Sequence, residues 1–160
     1  MFRIGIGYDI HAFSDEATDY IMLGGIAIPF NRKIIAHSDG DVIFHALTDG
    51  LLGAIAEGSI GVHFLNRDSK WKNARSSEFV KYTLALVHSK GYMISNVDIT
   101  VISHEPKIMP YAIEIRSRIA HLIQCDISQV NVKATTPEGL GALGRREGIA
   151  CQAAALIIKR

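Results

Sequence analysis

The stretch Glu147 to Lys159 constrains the fold more than any other. Ile149, Cys151, Ala153 and Ala155 recur at every second position, which is the period of a strand with one covered face. Something must lie over that face, and three helical patterns supply it. The first spans 41–56, with Val42, Ala46, Leu47, Leu51 and Ala54 on one side and Asp39 or Asp41 as its cap. The second spans 77–90, begins at Ser76 or Ser77, carries Phe79, Val80, Leu84 and Val87, and closes on Gly91. The third spans 110–124, with Pro110 in its first turn and Ile113, Ile119, Leu122 and Ile123 inward. Further strands are expected over 2–8, 97–102 and 130–135, and a hairpin over 20–29 turns at Gly24-Gly25. Residues 14–20, 103–109 and 57–75 read as loops, the last being the longest, and 135–146 as a glycine-rich loop or short helical turn. The expected fold class is therefore α+β: a mixed β-sheet with helices packed on one face, in a single domain over 1–160.

Charge narrows the function. The 160 residues carry a net charge of +1, with 48% hydrophobic and 21% charged side chains. Such a chain can bury a core, and it has no general field for nucleic acid or an anionic membrane. Neither partner is expected, and any anion site must be local. Cys125 and Cys151 lack CxxC spacing and read as buried thiols of a reducing compartment. Met1 leads straight into a strand, with no basic and apolar leader, and no apolar run is long enough for a bilayer. The expected location is the cytoplasm, or a plastid after loss of a transit peptide.

Three segments carry chemistry. Asp9 and His11 stand two apart in an extended run, so both side chains point to one face and can grip one cation. His45 is the candidate third ligand, and Asp49 shares its helix face. Zinc takes such nitrogen and carboxylate donors, and a catalytic zinc keeps a fourth position open. The second segment, Ala134 to Gly148, offers hydroxyls, free backbone N–H groups and Arg145 in a glycine-rich turn suited to diphosphate oxygens. Glu138 within it can hold a hard cation such as Mg²⁺. The third, Ser103 to Pro110, offers backbone amides and Lys107 to a nucleotide. Each has a plainer reading. D-x-H pairs are common, glycine-rich loops are mostly turns, and exposed Lys107 and Arg145 are mostly solvated. His37, His63, His88, His104 and His121 have no evident partner and read mostly as surface.

The order of the motifs adds what spacing cannot. Gly7-Tyr-Asp-Ile-His-Ala-Phe13, His37-Ser-Asp-Gly-Asp41, His45-Ala-Leu-Thr-Asp49, Ile60-Gly-x-His-Phe64, Pro106-Lys107, Val130-Asn-Val-Lys-Ala-Thr-Thr136 and Gly144-Arg-x-Glu-Gly-Ile-Ala-Cys151 follow one another along the whole chain. This set resembles the 2-C-methyl-D-erythritol 2,4-cyclodiphosphate synthase family of the non-mevalonate isoprenoid pathway. The resemblance implies a phosphorus–oxygen lyase assembled as a homotrimer, with active sites between neighbouring subunits. It implies that the 2-phosphate of 4-diphosphocytidyl-2-C-methyl-D-erythritol 2-phosphate attacks the β-phosphorus and expels CMP.

Residue by residue, the resemblance implies one Zn²⁺ per subunit on Asp9, His11 and His45, and Mg²⁺ or Mn²⁺ bridged by Glu138 and the substrate phosphates. Thr136 contacts phosphate, with Arg145 nearby in the same turn. Ser103, Lys107, Met109, Ala134 and Thr135 line a cytidine pocket. His37 and Ser38 belong to a loop over the diol part, and Asp49 orients a zinc ligand. Asp9, His11, Ser59, Gly61, Phe64 and Asp68 face the substrate, and His37, Thr136 and Glu138 act in catalysis. Two positions depart from the family pattern. Ser59 stands where the family has Asp, and Leu65-Asn66-Arg67 replaces Pro-Asp-Thr. Both bear on substrate affinity and loop closure, with Arg67 as a compensating phosphate contact. The alternative is a non-catalytic trimeric module that binds zinc or a prenyl diphosphate, and Ser59 is its best support. A zinc hydrolase, with Asp49 as base, ranks last.

Overall fold

A computed structural model provides the structure, which describes residues 1–65 and 68–160. The chain runs through β1 (Phe2–Ala17), β2 (Tyr20–Leu23), β3 (Ile26–Pro29), β4 (Arg32–Ile34), α1 (Val42–Ala54), α2 (Ile60–His63), α3 (Ser76–Ser89), β5 (Tyr92–Ile102), α4 (Ala112–Ile123), β6 (Val130–Thr135), α5 (Gly141–Gly144) and β7 (Gly148–Lys159). Five strands form one sheet in the order β4-β1-β7-β5-β6, and β2 pairs with β3 alone. β7 is antiparallel to both β1 and β5, and β6 is parallel to β5, so the sheet is mixed as expected. In β7, Ile149, Cys151, Ala153, Ala155 and Ile157 are all buried beneath the helices.

α1 lies on the centre of this sheet. A Cβ on Gly5 would sit 1.9 Å from Gly50 O, and one on Gly7 would sit 1.8 Å from Ala46 O. The two glycines are thus what lets helix backbone touch strand backbone. Close approach buries α1 on nearly every side, Ile43 and Phe44 included. Between the two open capping candidates the structure chooses. Asp41 caps α1 by accepting Phe44 N–H at 3.1 Å, and it also accepts Gly24 N–H and Gly25 N–H at 2.8 Å each. One carboxylate therefore clamps the hairpin turn to the helix start. Burial, with the charge of Asp39, pushes its carboxyl up to about 6, against the pull of those three donors.

Four expectations need correction. Residues 14–17 continue β1 instead of opening a loop, because β4 pairs with its far half at Phe13 and Ala17. β5 starts at Tyr92, not 97. On α4, Ile113 faces solvent, and the buried stripe is Ile115, Ile119 and Ile123 at i, i+4 spacing. The long loop carries α2 and a 3-10 turn at Ser69–Trp71, and it is pinned by aromatic packing: the Phe64 ring lies 4.5 Å from Phe79 and 4.9 Å from Trp71. Asn66 and Arg67, and with them the compensating contact expected of Arg67, lie outside the described residues.

Candidate metal centre and substrate cleft

On the inner face of β1 the order is Gly5, Gly7, Asp9, His11, Phe13, as period two requires. The glycines seat α1, and α1 then carries His45 over the two ligands that follow. Asp9 Oδ2 lies 2.8 Å from His11 Nε2 and 3.1 Å from His45 Nδ1, and the two nitrogens are 3.0 Å apart. Asp9, His11 and His45 are the group of three or more His, Cys, Asp or Glu residues, among those described, whose ligand atoms converge within 4.8 Å. Donors of this kind 2.0–2.1 Å from one tetrahedral ion would stand about 3.3 Å apart.

The outer atoms fit the same role. His11 Nδ1 donates to Ile35 O at 3.2 Å, which leaves its Nε2 lone pair facing inward. His45 Nε2 meets the hydroxyls of Ser76 at 2.8 Å and Ser38 at 3.0 Å. Burial works against charge on Asp9, but the imidazoles of His11 and His45 beside it hold its carboxyl well below the usual carboxylate range. Burial likewise disfavours charge on His11, yet Asp9 raises it above the ordinary imidazole value. The donor set, the converging atoms and the tied outer atoms all suit a divalent ion of the zinc type.

The triad floors a cleft of about 350 Å³ lined also by Ile35, His37, Ser38, Ile60, Gly61, Phe64, Trp71 and Phe79. His37, one of five histidines without an evident partner in the sequence, faces this cleft, and its buried Nε2 has no partner among the described residues. A second pocket of about 160 Å³ gathers Ser103, Lys107, Met109, Ala134, Thr135 and Thr136. Every residue expected around cytidine is there. The two cavities share no lining residue. Beside the second, Glu138 sits at φ 52, in the left-handed region, and accepts a 2.6 Å hydrogen bond from Thr136 Oγ1.

Other expected residues stand apart. Arg145 pairs with Glu147 at 2.6 Å and lines neither cavity. Ser59 precedes α2 without a side-chain cap bond, and Asp68 accepts Lys70 N–H at 2.9 Å. Asp49 does not touch a triad residue by hydrogen bond: its carboxylate accepts Ile60 N–H at 2.6 Å and tethers the long loop. Ser76, Ile35, Trp71 and Phe79 were not singled out by motif. Trp71 and Phe79 carried only an apolar or loop signal, and Ser76 only that of a candidate helix start.

A family model described as the YgbB family matches residues 2–158. A 2-C-methyl-D-erythritol 2,4-cyclodiphosphate synthase of Ehrlichia ruminantium (strain Gardel) is 55% identical over 160 residues, covering 98% of this chain and 92% of its own. One from Vibrio vulnificus (strain YJ016) is 50% identical over 160 residues, covering all of both chains. The solved Plasmodium falciparum IspF in its CDP complex superposes with a TM-score of 0.87 at 38% identity, over 99% of this chain and 97% of that one.

Proposed function

The chain belongs to the YgbB family and functions as a 2-C-methyl-D-erythritol 2,4-cyclodiphosphate synthase in isoprenoid biosynthesis; from that premise we propose how its residues divide the work. The substrate is 4-diphosphocytidyl-2-C-methyl-D-erythritol 2-phosphate. An oxygen of its 2-phosphate forms a bond to the β-phosphorus, the bond from that phosphorus to the bridging oxygen breaks, and CMP leaves. This is a cyclising, CMP-releasing phosphorus–oxygen lyase. Both reacting groups belong to one molecule, so the protein's task is to fold it into line.

Asp9, His11 and His45 would hold one Zn²⁺ per subunit, and Glu138 would hold Mg²⁺ or Mn²⁺ with the substrate phosphates. Such ions would supply charge neutralisation and Lewis acidity at the phosphoryl group. The chain's own groups do the rest. Ser103, Lys107, Met109, Ala134 and Thr135 seat the cytidine, and the CDP bound by the Plasmodium relative supports that use of a nucleotide pocket. Thr136 would donate to phosphate by turning its hydroxyl hydrogen away from Glu138. His37 and Ser38 cover the diol part, Gly61 and Phe64 line the same cleft, and Ser59 and Asp68, outside that lining, would have to approach to touch substrate. Arg145 would have to leave Glu147 to reach a phosphate.

The active unit is a homotrimer of single-domain 1–160 subunits, with the metal cleft of one subunit facing the nucleotide pocket of the next. Two observations support this. The cavities are separate within one chain. The outer face of β1 also leaves Ile4, Ile6, Tyr8 and Ile10 49–66% exposed in one stripe, the kind of contiguous apolar surface that marks an interface. No helix of the described residues is long and apolar enough to cross a membrane, and we place the enzyme in the cytoplasm. Membership at 50–55% identity does not favour a non-catalytic binding module.

The converged Asp9–His11–His45 triad carries this reading. Purified protein given the diphosphocytidyl substrate and Mg²⁺ should release CMP and the cyclic diphosphate, and a zinc chelator should abolish both. CMP release that survives complete zinc removal would sink the metal assignment.

A further inference from the structure

Behind His45 lie a hydroxyl and a carboxylate that the mechanism does not use. Ser76 is fully buried at the start of α3. Its Oγ is 2.8 Å from His45 Nε2 and donates to Asp39 Oδ1. The other carboxylate oxygen of Asp39 accepts Ser76 N–H at 3.0 Å, and Oδ1 also accepts Asp41 N–H at 3.2 Å. Asp39 is thereby held in place by the backbone of two segments.

On the Ser76 side of the ring the hydrogen count leaves one arrangement. A serine hydroxyl has a single hydrogen, and an ionised carboxylate can only accept. The Ser76 hydrogen therefore goes to Asp39, and Ser76 Oγ has only lone pairs left for His45. His45 Nε2 must carry the hydrogen between them. Asp9 Oδ2, 3.1 Å from Nδ1, is the competing acceptor for that hydrogen; with the hydrogen kept on Nε2, Nδ1 presents its lone pair to the same point as Asp9 Oδ2 and His11 Nε2, the latter 3.0 Å away. Ser38 Oγ, 3.0 Å from the same Nε2, imposes no such choice. Its own hydrogen is committed to no carboxylate, so it can donate or accept.

We propose that Asp39 and Ser76 are positioning residues of the metal centre: their carboxylate–hydroxyl relay holds His45 in the Nε2–H tautomer and aims Nδ1 at the ion. This rests on the zinc reading given above. Neither residue lines the metal cleft or the nucleotide pocket. Both act through His45, as outer hydrogen-bond partners of metal-bound imidazoles do.

The test compares wild type, Ser76→Ala and Ser76→Thr. Zinc affinity is measured by competition with a chromophoric chelator, the histidine tautomers by long-range proton–nitrogen NMR on histidine-labelled protein, and folding by thermal melting. Wild type should show hydrogen on Nε2 of His45 with and without zinc. Ser76→Ala, left with Ser38 alone, should show mixed tautomers and bind zinc about 10- to 100-fold more weakly, and Ser76→Thr should recover both. Wild-type hydrogen on Nδ1 in the zinc-free protein overturns the relay, as does a folded Ser76→Ala with wild-type affinity. Should Ser76→Ala fail to fold, the wild-type tautomer decides alone. Wild type that takes up no zinc would overturn the metal reading itself, whereas equal zinc binding by all three proteins would overturn only the relay.

Discussion

An imidazole offers one nitrogen to an ion, and what its other nitrogen touches decides which. His11 gives Nδ1 to Ile35 O and turns Nε2 inward, while His45 does the reverse. That difference follows from where each residue sits. His11 is on a strand whose neighbour offers a carbonyl, and His45 is on a helix whose neighbour offers a hydroxyl. Protons compete with zinc for the same lone pairs. Burial disfavours a charged His11, but Asp9 more than offsets it and raises its pKa. The ordinary imidazole value is about 6.5, so a proton stays on His11 into a higher pH range than usual. Zinc affinity should therefore be weak below that value, rise with pH through and above it, and level off once His11 is neutral. Chelator competition from acid to mildly alkaline pH would read this, and a flat profile would contradict it. Asp9 adds no competing proton in that range, since its carboxyl is held low.

At the scale of elements, two glycines set the height of α1 above β1. Replacing Gly7 with Ala would put a Cβ 1.8 Å from Ala46 O, a backbone atom that cannot swing away. Helix and strand would have to part, at a cost of at least about 3 kcal/mol. His45 rides on that helix one residue before Ala46, so the triad should open as well. Gly7→Ala should lower both the melting temperature and zinc affinity, and a stable variant with intact zinc binding would refute the coupling. The close approach was legible from Gly5 and Gly7 in a strand pattern. The inward residues of α4 were not: Ile113 and Ile115 are both isoleucine, and only docking against the sheet selects which one is buried.

For the whole molecule, the open face of β1 is where the proposed trimer would close. A charge on it should break that proposed assembly without touching the metal site, because the three candidate ligands come from one chain. Ile6→Glu, at a position 63% exposed in the subunit, should sediment as a smaller species, still bind one zinc per chain, and lose CMP release. Full activity from a monomeric variant would remove the argument that metal cleft and nucleotide pocket meet across subunits.

What the residues alone determined was periodic or adjacent: the alternation of β7, the helix pattern of α1, the turn at Gly24-Gly25, and the shared face of Asp9 and His11. These depend on chain geometry within a few residues, which any local window contains. Tertiary structure alone decided what joins distant segments. It brought Ser76 and Asp39 behind His45, gave Asp49 to the Ile60 amide, paired Arg145 with Glu147, and extended β1 along β4. A side chain's partner there is chosen by packing of whole elements, and no local period encodes that choice.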